Sequence, residues 1–328
     1  MKLPRRRFLH LAAGAVALPS VSRIARAQTY PTRPVKVTVP FPPGGPTDVM
    51  ARLVTDKLAM ALGRPFVVEN RPGGAGGIVG VKKVANADPD GYTLLVANVG
   101  TLTITPAIYK HIDYDPLKSL APIALLTTTP QVLVVNPSVP AETVTELAAY
   151  AKANPGKVNF ASPGSGTQPH LLGEQFKVIT GANIVHIPYR GTAPAVTDLL
   201  AGQVQMYFES TSVLLPHIEA SKARALAVTS ATRSARLPNV PTVIEAGFPQ
   251  LEATLWSGML TTAGTPPFVI DKLNVATNDV LRSPDMRSAL AKLGAEAKGG
   301  SAQDFAAFMA SEVTKWAAVV AAANIKPE

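Results

Sequence analysis

Four loops rich in glycine, proline and small polar residues carry the chemistry that this sequence offers. Each follows a predicted strand and precedes a predicted helix; they are residues 41–48 (FPPGGPTD), 70–77 (NRPGGAGG), 162–167 (SPGSGT) and 189–193 (YRGTA). Glycine lets the backbone approach a ligand closely, and a helix N-terminus offers unpaired N–H groups at the positive end of its dipole. A single loop of this kind is equally well explained as a tight turn with no ligand. Four at equivalent positions predict a cleft that holds a small anion, such as a carboxylate, without a basic side chain.

Signatures of catalysis are absent from the same loops. The one Gly-Lys pair is followed by Val158 rather than Ser or Thr, and Val79 stands where a dinucleotide-binding loop needs its third glycine. A nucleophile elbow around Ser165 fails because Pro163 takes the place of its first glycine. We therefore expect no enzyme and no cofactor. The remote alternative is a periplasmic serine hydrolase in which Ser165 is the nucleophile and His170 the base.

Metal chemistry is equally unsupported. The chain has no cysteine, which excludes disulfides and thiolate metal sites. Four histidines follow the N-terminal segment, at least 16 residues apart: His111, His170, His186 and His217. Zinc sites need closer ligand spacing on at least one element, so we expect structural histidines and no metal site.

The elements that position the loops follow a βα rhythm, because short apolar runs alternate with segments of helical periodicity. Strands are predicted over residues 35–41, 66–69, 92–98, 158–162, 184–189 and 205–208, and helices over 47–62, a short segment to about 87, 143–153, 169–179 and 193–201. The long β-prone run 123–135 is predicted to cross between two domains, and strands 225–229 and 255–262 to return the chain. Helices 267–281, 284–293 and 302–323 complete the prediction, and Thr47 is the expected N-cap of the first helix.

Length and charge are consistent with this organisation. The 328 residues suffice for two domains, and the net charge is +9. Six of the 31 basic residues lie in residues 1–27, which leaves 25 basic against 22 acidic residues in the remainder. An excess of three charges cannot provide the clustered cations that nucleic-acid binding requires, so a nucleic-acid partner is excluded.

The basic N-terminus has the layout of an export signal. A cationic start is followed by a short apolar stretch and by the small-x-small sequence ARA at residues 25–27. Residues 5–9 (RRRFL) fit the twin-arginine pattern, and an ordinary Sec signal is the alternative. We expect residues 1–27 to be a signal peptide cleaved after Ala27, a mature protein in the periplasm, and no later membrane span.

Several longer segments resemble the Bug (Bordetella uptake gene) family, the periplasmic solute-binding proteins of tripartite tricarboxylate transporters. They are YPTRP (30–34), VPFPPGGPTDVMAR (39–52), VENRPGGAGG (68–77), DPDGYTLLVAN (88–98), SPGSGTQPH (162–170), PYRGTAPAVTDLLAGQVQMYF (188–208) and RALAVTSATRSARLPNVPTVIEAGFP (224–249). The resemblance covers essentially the whole mature chain. It implies an α/β, type II-like periplasmic-binding-protein fold with two lobes, each a mainly parallel sheet flanked by helices. The ligand cleft lies between lobe 1 (28–128 plus about 232–328) and lobe 2 (about 129–231).

The resemblance also implies which residues contact the ligand. In lobe 1 these are Phe41, Pro43, Gly44, Thr47 and Asp48; in lobe 2 they are Ser162, Ser165, Gly166, Thr167, Tyr189, Gly191, Thr192 and Ala193. The family often has Phe-Asp where this chain has Phe208-Glu209, so Glu209 either reshapes the distal pocket or is a solvated carboxylate. Arg190 could clamp a carboxylate, although an outward orientation is favoured, and Trp256 is expected in core or hinge packing.

The function implied is capture of a small carboxylate and its delivery to the inner-membrane permease of a tripartite tricarboxylate-type transporter, by a protein that is a monomer. A ligand sensor that docks on a membrane sensor kinase is the alternative with the same fold. Dicarboxylates, tricarboxylates, aromatic carboxylates, acidic amino acids and amides all remain open as ligands. Because the predicted contacts contain no obvious cationic side chain, a monocarboxylate or dicarboxylate is favoured over citrate.

Overall fold

The computed structural model describes residues 29–109 and 112–326. The predicted signal peptide and His111 lie outside this range. The strands are β1 (Val35–Val39), β2 (Phe66–Asn70), β3 (Thr93–Asn98), β4 (Leu120–Val135), β5 (Asn159–Ser162), β6 (Val185–Pro188), β7 (Met206–Ser210), β8 (Arg224–Val228), β9 (Thr254–Thr262) and β10 (Glu296–Ala297). The helices are α1 (Pro46–Leu62), α2 (Ile78–Ala85), α3 (Thr105–Ile108), α4 (Val144–Ala153), α5 (Gln168–Thr180), α6 (Thr192–Leu200), α7 (Thr211–Glu219), α8 (Pro267–Arg282), α9 (Pro284–Lys292) and α10 (Ala302–Ala322).

A curled sheet with the order β2-β1-β3-β9-β4-β7-β5-β6 runs through the molecule. Strands β1, β2 and β3 are mutually parallel in the first half, and β5, β6 and β7 in the second half. Strand β4 belongs to both halves: residues 120–130 pair antiparallel with β9, and residues 131–135 pair antiparallel with β7. The predicted crossing strand is thereby confirmed, as is the two-lobed α/β architecture with helices flanking mainly parallel sheets.

The register directs the carboxyl ends of both sets of parallel strands toward this crossing. In the first half, Asn98 at the end of β3 lies opposite Ser257, which itself pairs with Thr127 of β4. In the second half, Ser210 at the end of β7 lies opposite Gln131 of β4. Ligands of open α/β sheets bind outside the carboxyl ends of the strands, so the strand order places the four predicted loops where a ligand is expected.

Apolar side chains from sheet and helices fill the interior. The β-branched residues Val35, Val37 and Val39 of β1 are fully buried in one apolar cluster, because alternate residues of a strand lie on the same face of the sheet. Trp256 of β9 is 1 % exposed and meets Phe305 and Phe308 of α10 edge-on. The prediction that Trp256 serves core packing is confirmed.

Helix α10 is long and apolar enough to cross a membrane by length and composition, the one such helix in the described part of the chain. It packs instead on β4 and on the segment 100–108. Its buried residues Phe305, Met309 and Trp316 belong to the largest apolar cluster. The helix packs on the core along one face, and its other residues are exposed or partly exposed.

Two local features differ from the sequence-based expectation. The N-cap of helix α1 is Gly45, two residues before the predicted Thr47, because Pro46 provides a φ angle suited to the first helical turn. The π-helical turn Gly100–Ile104, helix α3 and helix α7 were not predicted. Their short, uniformly apolar or threonine-rich sequences carry little helical periodicity.

Candidate functional site

The loop before α1 presents backbone rather than side chains at the crossing. Helix α1 starts without a side-chain cap, so the N–H groups of Thr47 and Asp48 in its first turn have no intrahelical acceptor. Pro43 and Gly44 are exposed, and Gly44 has φ +83°, a left-handed conformation that favours glycine. This end of α1 can therefore approach an anion with backbone donors and a favourable dipole.

Asp48 holds this loop in shape. Its carboxylate, 2 % exposed, accepts hydrogen bonds from Gly44 N (2.8 Å), Arg52 Nε (3.0 Å) and Asn70 Nδ2 (2.8 Å). Burial alone would raise the pKa of Asp48, but these hydrogen bonds and the Arg52 charge outweigh it and lower the pKa below its usual value. The side chain of Asp48 is thus committed to the loop, which leaves its backbone N–H as the group that can face a ligand.

Two asparagines, which the sequence analysis did not identify, donate hydrogen bonds to the loop before α1 and to its first turn. Asn70 donates to Phe41 O (3.0 Å) as well as to Asp48, and Asn98 Nδ2 donates to Thr47 Oγ1 (3.3 Å). They end β2 and β3 respectively. A polar residue at the last position of neighbouring parallel strands was the signal that could have found them.

In the second half, residues 162–167 form a glycine-rich turn ahead of α5. Gly164 and Gly166 have positive φ angles, +146° and +76°, and Thr167 caps the turn by donating to Gly164 O (2.6 Å). Helix α5 starts without a side-chain hydrogen bond to its first turn. Its N-terminus resembles that of α1 in this respect, on the other side of the crossing.

Two histidines form hydrogen bonds with residues of this turn. Ser162 Oγ lies 2.6 Å from His186 Nε2, and Gly166 N donates to His170 Nδ1 (3.0 Å). The imidazoles of His170 and His186 stack with centroids 3.9 Å apart. Burial, together with His170 and Lys177, lowers the pKa of His186 to about 3, so a neutral ring makes the hydrogen bond to Ser162 at neutral pH.

These contacts give both histidines a role in loop geometry. His170 Nδ1 accepts a backbone hydrogen bond from Gly166, and Ser162, which contacts His186, is fully buried.

Hydrogen bonds hold the loop 189–193 against the loop 162–167. Tyr189 N donates to Ser162 O (2.9 Å), Gly191 N donates to Pro163 O (3.1 Å), and Tyr189 OH donates to Asp198 (2.8 Å). Burial and the Asp198 carboxylate raise the pKa of Tyr189 to about 12. Ala193 and Arg190 are exposed, in agreement with the favoured outward orientation of Arg190.

Glu209 lies against the first turn of α6. It is 5 % exposed, and its carboxylate accepts hydrogen bonds from Thr192 Oγ1 (3.1 Å), Tyr207 OH (2.6 Å) and Ser210 N (2.7 Å). The interpretation of Glu209 as a solvated carboxylate is wrong. It contributes a buried acid near the carboxyl end of β7.

The two halves approach each other at this edge. A Cβ atom added to Gly166 would lie 3.2 Å from Ile108 Cδ1, so the loop before α5 touches α3 of the first half. Ile108 was not anticipated as part of the site. An open groove between α1 and α9 is lined by Val49, Leu53 and Asp285, among others. Within residues 29–109 and 112–326, no group of three acidic or histidine residues could hold a metal ion.

Comparison with known proteins assigns the chain to a family. Residues 50–325 match the family described as "Tripartite tricarboxylate transporter family receptor". The chain is 40 % identical to protein BugT of Bordetella pertussis over 306 residues, which cover 93 % of this chain and 94 % of BugT. The chain belongs to the tripartite tricarboxylate transporter receptor family. Its resemblance to Bug proteins is thereby confirmed, and this is a family of solute-binding receptors rather than enzymes.

Two solved structures of similar proteins contain ligands. An R. palustris protein with adipate is 34 % identical, with a TM-score of 0.77 over 91 % of this chain and 100 % of that one. The protein MatC from Rhodopseudomonas palustris with bound malate is 33 % identical, with a TM-score of 0.74 over 89 % of this chain and 100 % of that one. Both ligands are dicarboxylates, and both structures share the two-lobed fold.

Proposed function

We propose that this receptor captures a small carboxylate between its two lobes and delivers it to the inner-membrane permease of a tripartite tricarboxylate-type transporter. The observation that carries the proposal is the pair of helix N-termini, those of α1 and α5, that lack side-chain caps on opposite sides of the β4 crossing. Their backbone N–H groups and dipoles suit a carboxylate held by both lobes. The adipate and malate held by similar proteins support this class of ligand.

The proposed lobes are those predicted from the sequence: residues 28–128 plus about 232–328, and about 129–231. Strand pairing supports these boundaries, because β4 changes partner from β9 to β7 between Pro130 and Gln131. Contacts that form to both lobes only in the closed state would shift an open–closed equilibrium on ligand entry. A micromolar ligand corresponds to about −8 kcal/mol, which several hydrogen bonds in a desolvated cleft can supply.

Within the predicted contacts, the proposal assigns two kinds of role. Backbone groups of Gly44, Thr47, Gly166 and Gly191, with the partly exposed Ser165 and Thr167, face the ligand. The side chains of Asp48, Ser162 and Tyr189 hold the loops through the hydrogen bonds described above. Export through the predicted signal peptide would place the receptor in the periplasm, where a permease or a sensor kinase can read the closed state.

A thermal-shift panel tests the proposal. Small carboxylates are compared with the alcohols of the same skeletons, using the chain from residue 28 and native mass spectrometry to verify that no compound is already bound. A concentration-dependent rise in Tm with carboxylates only is expected. Equal shifts with the uncharged alcohols, or none with any carboxylate, would contradict it.

A further inference from the structure

Three carboxylates are buried in the described part of the chain, and two of them have a cation beside them. Asp48 forms an ion pair with Arg52 (3.0 Å), and Glu312 lies 3.5 Å from the ammonium of Lys315. Glu209 is the third, and no ion pair of the described residues includes it. Burying a charge without a counter-charge is costly unless hydrogen bonds or a bound group compensate for it.

Hydrogen bonds compensate for the charge of Glu209 only in part. Oε2 accepts from Tyr207 OH and Thr192 Oγ1, whereas Oε1 accepts from Ser210 N alone. A carboxylate offers about four acceptor positions, so one position on Oε1 is left open. Burial and the neighbouring Glu209 raise the pKa of Tyr207, which keeps this phenol protonated and acting as a donor.

Glu209 lies at the edge of the sheet where we propose that the ligand binds. Glu209 lies at the carboxyl end of β7, on the sheet edge that also carries Ser162 of β5 and Pro188 of β6. Its carboxylate contacts Thr192, the first residue of α6. The edge therefore presents the positive dipole ends of α1, α5 and α6, and the carboxylate of Glu209 lies at that of α6. A ligand that bridges them would need an acid at one end and a donor at the other.

We propose that Glu209 selects, among small carboxylates, those that carry an N–H donor, an amide or an ammonium group, at the end opposite the carboxylate. The inference rests on the proposed function, since it assumes that the cleft binds a carboxylate. An N–H donor fills the open position on Oε1 and compensates for the buried charge. A second carboxylate at that end would meet a like charge in a desolvated site, which is strongly unfavourable.

Matched ligand series test the proposal by calorimetry. Each series contains a dicarboxylate, its monoamide and its ω-amino acid on one skeleton: adipate, adipamate and 6-aminohexanoate, with the corresponding linear series from four to eight carbons. Terephthalate, 4-carbamoylbenzoate and 4-(aminomethyl)benzoate extend the test to an aromatic skeleton. For the skeleton that binds best, we expect the amide or the amine to bind at least about tenfold more tightly than the dicarboxylate.

Variants then assign the preference to Glu209. Glu209→Gln keeps acceptor and size but removes the charge, and should bring the Kd of the dicarboxylate to or below that of the amide. Glu219→Gln removes an exposed acid from the far end of α7 and should leave the wild-type preference unchanged. A wild-type dicarboxylate affinity equal to or higher than that of the amide and amine would overturn the inference while sustaining the proposed function. Failure of every acid to bind would overturn the proposed function and the inference together.

Discussion

At the scale of single residues, the site depends on backbone conformation more than on side-chain chemistry. Gly44 and Gly63 flank the two ends of α1 with similar left-handed φ angles, +83° and +68°, and an added Cβ would meet no atom within 4 Å at either. Gly44 lies at the end of the helix that we assign to the ligand site, and Gly63 lies at the opposite end. Substitutions at the two positions therefore distinguish the effect of backbone strain from the effect on ligand binding.

Gly44→Val should abolish ligand binding, because a β-branched residue forces the loop before α1 away from its left-handed conformation. Gly63→Val imposes comparable strain at the distant end, so each variant should lose about 1–2 kcal/mol of unfolding free energy. Calorimetric titration with a carboxylate and urea unfolding check the two effects. Wild-type affinity in Gly44→Val, or equal loss of binding in both variants, would show that the loop is not part of the site.

His186 makes stability depend on pH. Its pKa is about 3 in the native state and close to 6.5 when unfolded, so between these values the unfolded chain binds a proton that the native protein does not. The free energy of unfolding should therefore fall as the pH falls from about 6.5 to 3.

Chemical denaturation at a series of pH values measures this contribution. His186→Gln can keep a hydrogen bond to Ser162 without titrating, and it should show a shallower loss of stability across that window. His217→Gln on α7 is the matched control and should keep the wild-type slope. An unchanged slope in His186→Gln would contradict the assignment.

At the scale of elements, α10 is hydrogen-bonded to strand β9 through the carboxylate of Glu312. Glu312 Oε2 accepts hydrogen bonds from the indoles of Trp256 (2.9 Å) and Trp316 (3.0 Å). Both rings are almost fully buried. Breaking the carboxylate contact would leave two buried N–H donors unsatisfied.

Glu312→Ala should lower the free energy of unfolding by about 3 kcal/mol, since each buried unsatisfied donor costs about 1–3 kcal/mol. Ser311→Ala, an exposed change on the same helix, should stay within about 0.5 kcal/mol of the wild type. Urea unfolding followed by tryptophan fluorescence reports both. A loss in Glu312→Ala no larger than the control's would mean that the two indoles are satisfied otherwise.

The elements were largely predictable because strands rich in β-branched residues and helices that end at a glycine have strong local signals. Strand β1 and helix α5 lie within a few residues of their predictions. Helix α7 was missed because Pro216 and its apolar sequence hide the helical period. The loops of the site were predictable from glycine placement at strand ends, whereas the pairing of Ser162 with His186, 24 residues apart, depends on strand order. The burial of Glu209 beside Thr192, 17 residues earlier in the chain, depends on tertiary contacts that no local pattern encodes.

At the scale of the whole molecule, strand order makes the protein a two-lobed receptor. Two strands, β4 and β9, are paired along the crossing, with Pro130 opposite Thr254 at its centre. Gln168 Nε2 donates to Thr254 O (3.1 Å), so the N-terminus of α5 is attached directly to one of these strands. A ligand held at the start of α5 and at the start of α1 therefore acts on the strands about which the lobes would close.

Small-angle X-ray scattering tests the central claim, that a carboxylate is bound between the lobes, most directly. The chain from residue 28, verified by native mass spectrometry to carry no bound compound, is measured with and without a saturating carboxylate chosen from the thermal-shift panel. The account predicts a smaller radius of gyration with the carboxylate and no change in Gly44→Val under the same conditions. Saturated binding with an unchanged radius of gyration in the wild-type protein would contradict it, since the ligand would then occupy a site outside the cleft.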